Sequence, residues 1–236
     1  MPMSNIASNV AAVRAAIAEA AREAGRRPEE IRLVAVTKGR TVEEIREALA
    51  AGITDLGENR VQEAMQKYPA IGKAATWHMI GTLQTNKVKQ ALQFADLIHS
   101  LDRLSLAHEL EKQASRLGRR VPVLVQVNVS GEATKHGIPP DELFRFLEAI
   151  APLEHLEVQG LMTIAPIATD PETVRPVFAA LRELAEKVRA QGFPRVEMRW
   201  LSMGMSGDFI AAIREGANMV RIGTAIFGPR PAKESG

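Results

Sequence analysis

The chain has 236 residues, 46% of them hydrophobic and 25% charged, and its 30 basic and 28 acidic side chains leave a net charge of +2. That size and composition suit a soluble globular protein of one α/β domain or two small ones, and so slight a positive balance, without any run of like charges, argues against nucleic acid as a partner. The absence of cysteine excludes disulfides, thiolate metal sites and cysteine nucleophiles, and fits a cytoplasmic protein.

In chain order, Ile6, Val10, Val13 and Ile17 recur at helical spacing and predict a packing helix over about 4–24, capped by Ser4 and stopped at Gly25. Arg14, Glu19, Arg22 and Glu23 interrupt this segment, so it does not read as an export signal. No stretch of the chain approaches the roughly eighteen apolar residues that span a bilayer. Short apolar runs rich in β-branched residues then alternate with longer amphipathic segments. Strands are predicted over 31–37, 53–57, 76–81, 95–100, 121–129, 156–163, 197–203 and 219–222. Helices are predicted between them over 42–51, 60–67, 84–94, 103–117, 141–150, 172–191 and 208–215. Thr41 with Glu44 forms a capping box, Asp170-Pro171 an N-cap with proline at the first helical position, and Gly52, Gly118, Gly192 and Gly216 stand where helices stop.

Eight strand–helix steps without a linker predict an α/β fold, a single (β/α)8 TIM-type barrel with an extra N-terminal helix, in which 1–236 form one domain ending in a flexible tail at about 230–236. An open doubly wound sheet is the alternative, although no GxGxxG follows the first strand.

A barrel gathers its functional residues on the loops after the strands. Lys38 follows the first predicted strand, Asn59 the second, Gly204 and Ser206 the seventh, and Gly223 and Thr224 the eighth. The two small-residue turns after strands seven and eight are suited to a phosphate: Gly204 and Gly223 allow close backbone approach, Ser202, Ser206 and Thr224 offer hydroxyls, and Arg221 offers charge. Each residue also has a plainer reading, Lys38 as a solvated rim charge, 202–206 as a turn and cap, Arg221 as a buried ion-pair partner. Their convergence on one rim points to a phosphorylated ligand with a carbonyl group for the Lys38 amine. His78, inside a strand, is either an acid–base group or a hydrogen-bonded core histidine, and His99 ranks below it as a group looking into the barrel mouth. Lys135 could guide an anionic ligand to the mouth or be a solvated loop charge. The histidines at 78, 99, 108, 136 and 155 have no ligand-like spacing, so no metal site is expected.

Five motifs, in order and at consistent spacing, resemble the pyridoxal phosphate homeostasis protein family. They are Ala35-Val36-Thr37-Lys38, Gly57-Glu58-Asn59-Arg60-Val61-Gln62-Glu63, Trp77-His78-Met79-Ile80-Gly81 continuing to Lys87, Leu201-Ser202-Met203-Gly204-Met205-Ser206, and Val220-Arg221-Ile222-Gly223-Thr224 continuing to Gly228. Members often carry proline where this chain has Thr41, and a second acidic residue where it has Gly207. The resemblance implies a barrel like the N-terminal domain of alanine racemases and pyridoxal 5'-phosphate (PLP) held as an internal aldimine, a Schiff base, on Lys38. Asn59, Ser202, Gly204, Ser206, Arg221, Gly223 and Thr224 would surround it, with His78, Met203 and Lys135 as secondary candidates.

Two functions then compete. A racemase or related PLP enzyme would use Lys38 as a base, but two-base inversion needs a partner on the opposite face, a tyrosine in alanine racemases. The sole tyrosine, Tyr68, is expected at the opposite rim, and no room is expected for the racemase C-terminal domain. The favoured expectation is a monomeric carrier that holds PLP and supplies it to apo-enzymes without efficient catalysis. An aldolase is a weaker third reading, because strand six ends in Met162-Thr163 without a lysine.

Overall fold

The computed structural model describes residues 5–132 and 136–229, so the expected Ser4 cap, Lys135 and the tail from 230 lie outside the described residues. The β-branched runs form eight parallel strands: β1 (Arg32–Val36), β2 (Asp55–Glu58), β3 (Thr76–Met79), β4 (Leu97–Leu101), β5 (Val121–Gln126), β6 (Leu156–Met162), β7 (Val196–Ser202) and β8 (Met219–Ile222). They pair in chain order, and the barrel closes where Arg32, Leu33, Val34 and Ala35 of β1 lie in register with Met219–Ile222 of β8. This is the expected closed (β/α)8 barrel, not an open sheet.

Around it lie α1 (Ile6–Glu23), α2 (Val42–Ala50), α3 (Val61–Ile71), α4 (Val88–Ala91), α5 (Leu104–Leu117), α6 (Leu143–Ile150), α7 (Arg175–Gln191), α8 (Phe209–Arg214) and α9 (Thr224–Phe227). The α1 stripe of Ile6, Val10, Val13 and Ile17 is buried, and the helix packs on α2, α8 and α9, where the barrel closes. The capping box of α2 forms as expected, Glu44 N–H donating to Thr41 Oγ1 (3.2 Å) and Thr41 N–H to Glu44 Oε2 (2.7 Å). Among the described residues no helix is long and apolar enough to cross a membrane.

Strand alternation divides the barrel into two interiors. Leu33, Ala35, Leu56, Trp77, Ile98, Val220 and Ile222 belong to the large apolar core between strands and helices. Truncating one of its fully buried large side chains, such as Ile98 or Leu106, costs about 2–5 kcal/mol. The alternate positions point into the barrel. There Val34, Leu97, Leu124, Met162 and Met219 make a small apolar layer under Trp200, and the rest of the filling is polar: Asp55, His78, His99, Ser202 and Arg221, all buried.

Three elements depart from expectation for local reasons. The helix expected over 84–94 shrinks to a 3-10 turn at Thr85–Lys87 and the single turn α4, because Thr85 and Asn86 favour turn conformations over helix interiors. The strand expected to reach 129 ends at Gln126, where the chain pairs with its own returning loop: Ile138 N–H donates to the Gln126 carbonyl (2.8 Å) and Asn128 N–H to that of Ile138 (2.9 Å). Helix α3 runs past Lys67 through Pro69 to Ile71, since proline near a helix end forfeits only one backbone bond.

Candidate functional site at the barrel mouth

Lys38 stands in the turn just beyond β1, and an ionic cluster grips the main chain on both sides of it. Lys67 of α3, its side chain 8% exposed, donates to the Thr37 carbonyl (2.7 Å), to Glu58 Oε1 (2.6 Å) and to Glu63 Oε1 (2.7 Å). Glu63 Oε1 also accepts the Gly39 N–H (2.5 Å), and Thr37 Oγ1 donates to Glu58 Oε1 (2.6 Å). All three ammonium protons of Lys67 therefore have acceptors, and the peptide groups before and after Lys38 are both tied down. Burial raises the Glu58 pKa despite the opposing pull of Lys67 and Thr37. Burial acts the same way on Glu63, but Lys67 and the Gly39 N–H overcome it and leave that carboxyl below its ordinary value. The Lys38 amine itself has no hydrogen bond or ion pair among the described residues.

Lys38 lines a cavity of about 460 Å³ shared with Ser206, Arg221, Gly223 and Thr224. The loops after β7 and β8 build its far wall. Gly204 has φ +97° and a Cβ there would lie 2.7 Å from Ala212 Cβ and 2.9 Å from Phe209 Cα, so only glycine lets the loop pack onto α8. Its carbonyl accepts the Arg221 N–H (3.0 Å), joining the loop after β7 to β8. Ser206 Oγ accepts from the backbone N–H groups of Gly223 and Ala225 (both 3.3 Å), so a hydroxyl oxygen occupies the place where two amides converge. Val36, Met205 and the fully exposed Ile167 add an apolar side.

Arg221 is 3% exposed. Its Nη1 donates to Ser202 Oγ (2.6 Å) and its Nη2 to the Thr163 carbonyl (3.0 Å), leaving Nε without a partner among the described residues. Burial lowers its pKa to about 10, against the attraction of Asp208, so it remains a cation at neutral pH. Asp208 is raised by burial, although it accepts the Met205 N–H (2.6 Å).

The structure thus brings Lys38, Ser206, Arg221, Gly223 and Thr224 to one cavity. It does not bring Ser202, whose buried hydroxyl is taken by Arg221 and His99, nor Met203, which is part of the apolar core. Gly204 shapes the wall without lining it. Asn59 follows β2 beside the mouth, and its main chain lies so close to Gly81 that a Cβ there would fall 2.2 Å from the Asn59 carbonyl oxygen. Its Oδ1 is buried without a partner among the described residues. His78 takes the core alternative, with both ring nitrogens engaged by Asp55 and His99. His99 does not look into the mouth: it is wholly buried within β4, bonded to His78 and Ser202. Tyr68 packs edge-on against Trp77 (5.5 Å between ring centroids) beside Thr54, Thr76 and Asp96 at the starts of strands, hence at the opposite rim. Lys135 lies outside the described residues. Among the described residues no group of three His, Cys, Asp or Glu side chains could hold a metal ion.

Sequence reasoning missed Arg40, a cavity residue that donates to the carbonyls of Phe227 (3.0 Å) and Gly228 (2.5 Å) and ties the first loop to α9. Its place two residues after Lys38, in the same loop, was the available signal.

Comparison with known proteins agrees with this architecture. Residues 8–231 match the family described as alanine racemase, N-terminal domain. The pyridoxal phosphate homeostasis protein of Aquifex aeolicus (strain VF5) is 44% identical over 227 residues, which cover 96% of this chain and 99% of that one. The chain belongs to the pyridoxal phosphate homeostasis protein family. PipY of Synechococcus elongatus PCC7942, solved with PLP bound, superposes with a TM-score of 0.83 at 36% identity, over 94% of this chain and 100% of PipY. The alanine racemase of Corynebacterium glutamicum gives a TM-score of 0.70 at 19% identity, over 98% of this chain and 62% of the racemase, a likeness of fold alone.

Proposed function

We propose that this chain binds PLP through Lys38 and serves cytoplasmic PLP homeostasis by taking up the cofactor and releasing it to apo-enzymes, without efficient catalysis. The observation that carries this reading is the convergence on one cavity of an amine without a partner among the described residues, a pair of backbone amides under a serine hydroxyl, and a buried guanidinium with a spare donor. Those groups fit the aldehyde, the phosphate and the polar edge of PLP respectively. When bound, PLP supplies an electrophilic carbonyl carbon and an electron-withdrawing ring. Lys38 would be the residue that holds the cofactor, its amine facing that carbon from the turn after β1. Ser206, Thr224 and the amides of Gly223 and Ala225 would take the phosphate, and Lys38, Arg40 and Arg221 make the mouth attractive to an anion. Family membership and PLP in the PipY structure support the assignment.

The proposal of a carrier draws on the arrangement of the bases. Among the described residues no tyrosine or histidine lines the cavity: Tyr68 sits at the other rim, and His78 and His99 are bonded at both nitrogens inside the barrel. A Lys38 base would therefore act without a second base opposite it.

The protein loaded with PLP is expected to absorb in the visible region, and borohydride reduction should add the cofactor's mass to the peptide containing Lys38. Lys38→Ala should abolish both while leaving the far-ultraviolet circular dichroism unchanged; a visible band that survives in the variant would falsify the assignment. Transfer of PLP to an apo-enzyme, with no exchange of amino-acid α-protons in deuterated water, would support the carrier, whereas rapid exchange with inversion would support the racemase.

A further inference from the structure

Five side chains run through the barrel as one hydrogen-bonded string. Arg221 Nη1 donates to Ser202 Oγ (2.6 Å); Ser202 Oγ meets His99 Nδ1 (2.9 Å); His99 Nε2 meets His78 Nδ1 (2.9 Å); and His78 Nε2 meets Asp55 Oδ1 (2.7 Å). The residues come from β8, β7, β4, β3 and β2, so the string crosses the interior from the mouth cavity to the start of β2, where Thr54 Oγ1 donates to Asp55 Oδ2 (2.7 Å) and Arg32 lies 3.6 Å from Oδ1.

Its ends determine the direction of every bond. Arginine only donates and an ionised carboxylate only accepts. Ser202 accepts from Arg221, and the acceptor within reach of its one O–H among the described residues is His99 Nδ1. A neutral His99 then carries its proton on Nε2 and donates to His78 Nδ1, and His78 carries its proton on Nε2 and donates to Asp55. One assignment satisfies all four bonds, with two neutral histidines and no proton left over. Reversing the middle bonds with Asp55 ionised requires one more proton on the pair, in a place closed to water. Reversal would also turn His99 Nδ1–H onto Ser202 and leave the buried Ser202 O–H without an acceptor among the described residues, and burial holds the His99 pKa well below 6.5.

We propose that Asp55, His78, His99 and Ser202 are positioning residues for Arg221, a one-way string that fixes the orientation of the guanidinium at the cavity from the far end of the barrel. The part of this proposal that concerns the ligand rests on the reading of the cavity as a PLP site. Because every bond points toward Asp55, a change there is transmitted to Ser202 through the tautomers of both histidines. An asparagine at the far end can donate as well as accept, so it removes the direction while preserving the length of the string.

The test combines nitrogen NMR of protein labelled at histidine with PLP titration of the full chain. In the wild type at neutral pH the bond directions place an Nε2–H tautomer at both His78 and His99. Asp55→Asn should introduce Nδ1–H populations at both rings and weaken PLP binding roughly threefold, although Asp55 does not line the cavity. Ser202→Ala, which cuts the string next to Arg221, should weaken binding about tenfold, the cost expected for losing a hydrogen bond to a charged group. An imidazolium at either ring in the wild type would overturn the proposal. So would an Asp55→Asn protein in which only His78 responds, or in which PLP affinity is that of the wild type. A wild-type chain that binds no PLP would sink the functional reading, and the tautomer measurement would still decide whether the string runs one way.

Discussion

Two buried polar networks meet at the mouth of this barrel, and they are built on opposite principles. The Lys67–Glu58–Glu63 cluster lies between β2 and α3, outside the barrel wall, and uses full charges to hold main-chain groups on either side of Lys38. The string from Asp55 to Arg221 lies inside the barrel and passes through two neutral imidazole rings to hold one side chain. The difference follows from what each must hold. The peptide carbonyl and N–H on either side of Lys38 need one donor and one acceptor close together, which an ammonium with its carboxylates provides. On the proposed function the Arg221 guanidinium would face an anionic ligand, and a carboxylate paired directly with it would compete with that ligand. Asp208 attracts Arg221 without bonding to it, and the string reaches its one carboxylate, Asp55, only through groups drawn as neutral.

The comparison breaks most easily on its ionic side. Lys67→Met leaves Glu58 buried without its countercharge and should cost about 3–5 kcal/mol in denaturant unfolding. On the proposed function it should also slow PLP uptake, because the turn that carries Lys38 loses its anchor. A loss below about 1 kcal/mol would show that the cluster is not a clamp. On the string side, Ser202→Ala strands Arg221 Nη1 and His99 Nδ1 without replacing their bonds and should cost about 1–3 kcal/mol. If the string were incidental, the cost would approach that of an ordinary surface change.

The pH dependence sharpens the contrast further. His99 is held neutral in the fold, below its ordinary value of 6.5, so the unfolded chain takes up a proton that the folded one refuses as pH falls through that value. Stability should therefore decline from about pH 6.5 downward, with a slope of at most about 1.4 kcal/mol per pH unit from this group. Burial alone would raise the Asp55 pKa, but hydrogen bonds from His78 and Thr54 and the charge of Arg32 hold it below the ordinary range. Its contribution is present above the unfolded value and disappears as pH falls through the depressed folded one. Glu58, raised by burial, has the opposite sign, its contribution being lost as pH rises through its folded value. Urea unfolding at a series of pH values measures the sum. A His99→Gln variant that retains the full decline between pH 6.5 and 5 would show that another group causes it.

Much of the site was legible before the fold was seen. Lys38, Gly223 and Thr224, expected on one rim because they follow strands one and eight, do share one cavity. Ser202 was misplaced by proximity: it adjoins the turn that holds Ser206, but as the last residue of β7 it shares the inward face of Trp200 and turns away from the cavity. Inward positions are usually recognised by an apolar alternation, and here half of them are polar, so Asp55 and His99 gave no such signal. Glu63 and Lys67, four apart on one helix, could be paired from spacing alone. Their grip on Thr37 and Gly39 could not, since it depends on how α3 lies against the end of β1.

By itself the sequence determined the strand and helix alternation, hence the barrel, and the loop positions where Lys38 and the glycine turns emerge. Those features follow from local periodicity and steric freedom, which operate over a few residues. Tertiary structure decided which polar side chains share an interior and in which direction their protons point. Asp55 and Arg221 are 166 positions apart in the chain. Only closure of β8 onto β1 makes the barrel interior one enclosed space, in which a donor at one end and an acceptor at the other must be joined by whatever lies between.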